Sequence, residues 1–171
     1  IAVISLWRDS QTYIHTSLKQ LSTQEEELGN DYSFFYSFYE NDSVDDTSKI
    51  LKEWLEDRQG ILLTEKLNHP KWESVPSRTR TEAMAQYRNI CLYALRDKKY
   101  DYLFIIDSDI YYGNDLFKSM IHLLDNNQMY GMITPNTQQN VSDKFDLSKS
   151  TSYYDSWALK DLQGNQGLTF A

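Results

Sequence analysis

Tyr102-Leu103-Phe104-Ile105-Ile106-Asp107-Ser108-Asp109 joins an apolar run to two carboxylates. The run is too short for a helix of ordinary length and suits a strand covered on both faces. In an extended chain residues i and i+2 point the same way, so Asp107 and Asp109 are expected to reach one cation together. Hard oxygen ligands in such a pair suit Mg²⁺ or Mn²⁺, which bind one or two carboxylates and take further oxygens from phosphates. The plainer reading is that the acids cap the next element. Their place directly after a buried strand favours the metal.

On both sides of this stretch strands and helices alternate. Ile1 to Trp7 reads as a strand, and Asp9 or Ser10 as the cap of a helix running to Leu28, stopped by Gly29-Asn30. Aromatic-rich Ser33 to Tyr39 predicts a second strand, and Ile61 to Thr64 a third. Ile50, Leu51, Trp54 and Leu55 mark one helix face, with Asp42 or Ser43 as its cap. Residues 68–77 hold Pro70 and Pro76 and read as a loop. The spacing of Ala83, Met84, Tyr87, Ile90, Cys91, Ala94 and Leu95 predicts a helix over 79–96. Leu116 to Leu124 reads as a helix, Met129 to Ile133 as a strand, and 134–152 as a loop. This alternation predicts one α/β domain over 1–171, a mostly parallel, Rossmann-like sheet covered by helices. Such sheets bind ligands beyond the carboxyl ends of their strands.

Composition narrows the partners. The 171 residues carry a net charge of −8, and 14% are aromatic. The basic clusters, Arg78/Arg80 and Arg96/Lys98/Lys99, are short, so neither nucleic acid nor an anionic membrane is expected as a partner. An acidic chain still binds phosphate where a divalent cation intervenes. No apolar run reaches the ~18 residues of a membrane span. The single cysteine, Cys91, permits no intrachain disulfide and reads as a buried structural thiol. A chain that begins with Ile in a strand pattern reads as a piece trimmed from something longer.

Three further groups carry possible chemistry. Arg88-Asn89 lies in the helix before the acid strand, and arginine is a fork-shaped donor for phosphate. Its bland alternative is a surface ion pair. Tyr39-Glu40-Asn41-Asp42 follows an early strand and offers acceptors to a base or ribose. Tyr154-Asp155-Ser156-Trp157, with Lys160-Asp161 after it, sets carboxylates beside an aromatic ring, as a sugar or acceptor site would. His15, His69 and His122 form no ligand pattern.

In order, these pieces resemble the fungal capsule-associated (cryptococcal type) mannosyltransferase family and its viral and bacterial relatives, within the GT-A glycosyltransferases. The resemblance is carried by Leu6-Trp7-Arg8-Asp9; by Tyr39-Glu40-Asn41-Asp42-Ser43-Val44-Asp45-Asp46-Thr47; by Arg78, Arg80 and Arg88-Asn89; by Phe104 to Ile110; and by Tyr154-Asp155-Ser156-Trp157-Ala158-Leu159-Lys160-Asp161-Leu162-Gln163-Gly164. Two positions depart from the family pattern. Asp107-Ser108-Asp109 stands where Asn-Asp-Val is common, and Lys160-Asp161 where Arg-Asp is.

The resemblance implies transfer of a hexose from a UDP- or GDP-sugar to a hydroxyl on a glycan or glycoprotein. Asp107 and Asp109 would hold the metal, with Asp109 the more direct ligand. Arg8, Glu40, Asp42, Arg88 and Ser108 would bind the donor. Trp157 and Lys160 would face sugar or acceptor. Asp155 and Asp161 would be candidates for a catalytic base if the reaction inverts the anomeric centre. Both a cytoplasmic and a Golgi-lumenal setting are compatible with the sequence. The rivals are a phosphohydrolase with Asp107 as nucleophile and Asp109 as acid/base, and a sugar-nucleotide binding domain without turnover.

Overall fold

The computed structural model describes residues 1–72 and 77–135. The chain divides into two compact units, Ile1–Asn126 and Asn127–Ala171. In the first, the order is β1 Ala2–Trp7, α1 Ile14–Leu28, β2 Phe35–Asn41, α2 Thr47–Leu55, β3 Gly60–Glu65, α3 Arg78–Ala94, β4 Leu103–Asp107 and α4 Leu116–Asp125. The four strands form a parallel sheet in the order β3-β2-β1-β4. The α/β expectation therefore holds.

Side chains alternate across each strand, as a pleated chain requires. Val3, Trp7, Tyr36, Phe38, Phe104 and Ile106 share one core with Ile14, Leu18 and Leu21 of α1, Leu51 of α2, and Phe117 and Ile121 of α4. Ala2, Ile4 and Tyr39 share the other with Ala83, Tyr87 and Cys91 of α3. Phe117 lies flat on Phe104, ring centroids 3.8 Å apart. Cys91 is buried, as expected of a structural thiol. Burial pushes it up to about 11, so it stays a neutral thiol at physiological pH. Gly60 opens β3 where a Cβ would sit 2.9 Å from the Tyr36 carbonyl oxygen and 2.7 Å from Leu55 Cδ2. Any larger residue would push the strand off its neighbour.

Three local expectations are corrected. Asp9 and Ser10 do not cap α1 with their side chains; the helix starts at Ile14 with Tyr13 before it. The Ser10 carbonyl instead accepts from the Tyr13 and Ile14 amides at 3.0 and 2.8 Å, closing a turn that lengthens the loop after β1. Asp42 and Ser43 do not cap α2, whose first amide, Thr47 N–H, donates to Asp45 Oδ1 at 3.0 Å. Met129–Ile133 forms no strand. Tyr130 N–H closes a turn on the Asn127 carbonyl at 2.9 Å, and Met129 and Met132 are 93% and 84% exposed. A short apolar run interrupted by Gly131 stays out of a ladder unless a neighbouring strand pairs with it.

Asn41 of the glycosylation triplet Asn41-Asp42-Ser43 is 4% exposed and out of reach of a modifying enzyme in the folded chain. Among the described residues no helix is long and apolar enough to cross a membrane.

Candidate active site

All four strands run the same way, so Trp7, Asn41, Glu65 and Asp107 end at one sheet edge. Leu6 is level with Asp107 on one side of β1 and with Tyr39 on the other. The chain leaves β1 toward β2 and later returns to β4 on its opposite side. That makes the gap between β1 and β4 the switch point, where open parallel sheets hold ligands.

β4 stops at Asp107, and Ser108 and Asp109 form a turn. Strand alternation alone therefore does not deliver both carboxylates, contrary to the expectation from i, i+2 spacing. Asp107 points to the α3 side, where Arg88 Nη2 donates to its Oδ1 at 2.7 Å. The two side chains are 34% and 56% exposed, so the pair contributes at most about 1 kcal/mol to stability and serves mainly to orient the acid. Asp109 is an exposed residue whose carboxyl is nonetheless partly desolvated by the surrounding chain. That desolvation, and then the Asp107 charge beside it, raise its carboxyl above the usual range.

On the other side of the switch point, Arg8, Glu40 and Asp42 brace the loops. Arg8 donates to the carbonyls of Pro70 and His69 at 2.9 and 2.8 Å, and its guanidinium lies 3.9 Å from Asp42. Asp42 sits in the left-handed region at φ 58° and accepts the Asn68 and His69 amides at 2.7 and 3.1 Å. Glu40 is 2% exposed and accepts the Ser43 amide at 2.9 Å. Ser43 Oγ in turn accepts the Asp9 amide at 3.0 Å, and Asp9 Oδ1 accepts the Val44 amide at 2.9 Å. Asp9 and Asn68 also have positive φ, 46° and 56°. Three loops, after β1, β2 and β3, are thus locked together at the carboxyl edge of the sheet.

His69 joins this frame through its Nδ1, 2.7 Å from the Tyr87 hydroxyl, and Tyr87 stacks on Tyr39 with centroids 4.9 Å apart. In the sequence His69 stands alone, far from His15 and His122, with nothing local to mark a role. The pairing of a loop histidine with an inward helical tyrosine is visible only once the chain is folded.

Burial pushes the Asp42 carboxyl up, but hydrogen bonds from Asn41 and from the Asn68, His69 and Leu67 amides outweigh it and hold it below its ordinary value. A carboxyl depressed by folding stabilises the chain above its unfolded value of about 3.9, and that contribution is lost as pH falls through the folded value. Asp42→Asn keeps a residue tolerant of positive φ but removes the charge. At pH 7 it should cost about 1–2 kcal/mol, the scale of a lost charge-assisted cap. The cost should begin to shrink below about pH 4, where the unfolded carboxyl takes up its proton, and vanish only below the lowered folded value. Denaturant melts of both proteins from pH 3 to 7 would check this, and a pH-independent difference would refute it.

Asp155, Trp157, Lys160 and Asp161 lie outside the described residues. Among the described residues no three His, Cys, Asp or Glu side chains gather as a metal cage. An open hollow lined by Glu25, Asn30, Tyr32, Asp57 and Arg58 lies at the opposite sheet edge, away from the acids. Its arginine is already held by Glu25 at 3.2 Å.

The family profile described as Cryptococcal mannosyltransferase 1 matches residues 1–170. The chain belongs to that family. That family is one of glycosyltransferases, as the resemblance implied, and membership in it speaks against the phosphohydrolase reading. No curated protein sequence matches the chain directly. Among solved structures it is similar to S. aureus TarS 1-349, at 18% identity and TM-score 0.52, covering 80% of this chain and 38% of that one. The same fragment in complex with UDP-GlcNAc gives 18% identity and TM-score 0.52 over 80% of this chain and 37% of that one. Its complex with UDP gives the same identity and score over 80% and 38%. At this identity the likeness shows the fold, and the mannosyltransferase-family chain spans well under half the length of these structures.

Proposed function

We propose that the chain transfers a hexose from a nucleotide-diphosphate sugar to an acceptor hydroxyl, with a divalent cation held at Asp107 and Asp109. The carrying observation is the conflict between these two acids at the switch point. Folding places Asp109 where crowding and a neighbouring carboxylate oppose its ionisation. A bound cation reverses both penalties, and Mg²⁺ or Mn²⁺ completes its shell with diphosphate oxygens and water, so two carboxylates suffice. When bound, the metal supplies Lewis-acid stabilisation of the departing diphosphate.

The chain's own residues do the rest. Arg88 holds Asp107 by its Oδ1, and among the described residues no hydrogen bond to the other oxygen is seen. The Arg8–Asp42 frame fixes the loops that would flank the base and ribose, and preorganised positioning lowers the cost of binding. UDP and GDP are both candidates for the donor nucleotide, and the UDP and UDP-GlcNAc complexes of the similar TarS fold favour testing UDP first. Asp155 and Asp161 remain the candidates for a base if the reaction inverts, and Trp157 and Lys160 for acceptor contacts. A glycan or glycoprotein hydroxyl is the proposed acceptor.

Thermal stability against a panel of UDP- and GDP-sugars, with and without Mn²⁺, tests this. A ligand that binds only the folded state stabilises it by about 2.7 kcal/mol at a hundred times its Kd. One nucleotide should raise the Tm, and only with metal present. No response to any nucleotide at millimolar ligand and Mn²⁺ would overturn the donor-site assignment.

A further inference from the structure

The segment after Asp107, residues 108–115, carries Asp109 and belongs to no helix or strand, so its backbone polar groups need partners from elsewhere. One stripe of α1 supplies them. Ser17 Oγ donates to the Ser108 carbonyl at 2.6 Å, Gln20 Nε2 to the Tyr112 carbonyl at 2.9 Å, and Gln24 Nε2 to the Gly113 carbonyl at 3.1 Å. Gln24 Oε1 accepts the amide of Phe117, in the first turn of α4, at 2.9 Å. Ser17, Gln20 and Gln24 are three and four residues apart and share one helix face. Ser17 is 7% exposed and Gln24 1%. Buried polar side chains are costly unless their hydrogen bonds are made. Gln24 makes its bonds here, Ser17 makes its shorter one here with the Tyr13 carbonyl at 3.4 Å as its other acceptor, and Gln20 donates here while its buried Oε1 has no partner among the described residues. The contact nearest the chemistry falls on Ser108, the residue between the two acids.

We propose that Ser17, Gln20 and Gln24 are positioning residues that set where Asp109 stands relative to Asp107, and thereby the affinity of the cation site. This rests on the assignment of a divalent cation to the two acids. Asp107 is fixed by its strand and by Arg88, whereas Asp109 lies beyond the strand end. Its backbone is held from the Ser108 side by Ser17 and further along by the two glutamines. A cation bridging two carboxylates tolerates little error in their separation, so a loosened turn weakens the site without emptying the fold. Residues that orient metal ligands through hydrogen bonds typically change affinity by about 10–100-fold.

The test uses the whole 171-residue chain. Mn²⁺ binding in the presence of UDP or GDP is measured by calorimetry, and amide hydrogen exchange is followed without metal. The variants are Ser17→Ala, Gln20→Met and Ser17→Thr, with Ser22→Ala as the control elsewhere on α1. Ser17→Ala and Gln20→Met should each bind Mn²⁺ about tenfold more weakly. Exchange should quicken at residues 108–113 and not in the strands. Ser17→Thr, which keeps the hydroxyl, and Ser22→Ala should match the wild type. Unchanged Mn²⁺ affinity in both weakened variants would overturn the proposal, leaving the stripe a packing device only, even if exchange quickens. A wild-type chain that binds no Mn²⁺ with either nucleotide overturns the cation assignment itself and this proposal with it, an outcome read before any variant is compared.

Discussion

Asp109→Asn should abolish the metal-dependent stabilisation by nucleotide and lower transfer by at least about a hundredfold, the scale of losing one preorganised electrostatic contact in an active site. The substitution is nearly isosteric, so the turn should survive. Its effect on stability should have the opposite sign to its effect on function. Crowding first, and the Asp107 charge second, raise the Asp109 carboxyl in the folded chain. An acid raised by folding is destabilising where it is ionised, so removing its charge at pH 7 removes a cost. The variant's metal-free Tm should equal or exceed that of the parent. Melting curves with and without Mn²⁺ and nucleotide, beside a transfer assay, provide both readouts. A variant that keeps the Mn²⁺-dependent shift would place the cation elsewhere.

The parts of the fold legible in the sequence are those with a strong period. The apolar run ending at Asp107 and the inward spacing of Ala83, Tyr87 and Cys91 each specify an element without help from the rest of the chain. From these the parallel sheet and its ligand-side edge follow. What sequence could not give is where polar side chains spend their hydrogen bonds. Asp42 and Ser43 were plausible caps for the next helix, because caps are local. In the folded chain their partners lie 26 and 34 residues away, at Asn68 and Asp9. Arg88 was readable as a phosphate ligand or an ion-pair partner, and its partner is one of the acids the same reading had picked out. The Ser17, Gln20 and Gln24 stripe passes in sequence for ordinary helix polarity. Its meaning depends on a segment some 90 residues on.

Phe117→Ala should be the most destabilising single change in the described chain that touches no candidate ligand. Phe117 is 0% exposed, lies on Phe104 at 3.8 Å and 8°, and has Tyr112 and Phe34 within 6.2 and 6.4 Å. Truncating a buried phenylalanine costs about 3–5 kcal/mol through lost transfer energy and the cavity left behind. Domains hold only about 5–15 kcal/mol in reserve, so the variant should be marginal. At about 2–4 °C per kcal/mol for a chain of this size, the Tm should fall by about 6–20 °C. The damage should not be uniform. Phe104 lies on β4 three residues before Asp107, and the Phe117 amide is the one Gln24 accepts. Loss of the ring therefore loosens α4 and both ends of the segment after β4 at once. Phe117→Leu, which refills most of the volume, should recover more than half of the lost Tm. If Phe117→Ala melts within about 2 °C of the parent, a shift worth no more than about 1 kcal/mol, α4 is not part of the cooperative core and the acids are anchored by β4 alone.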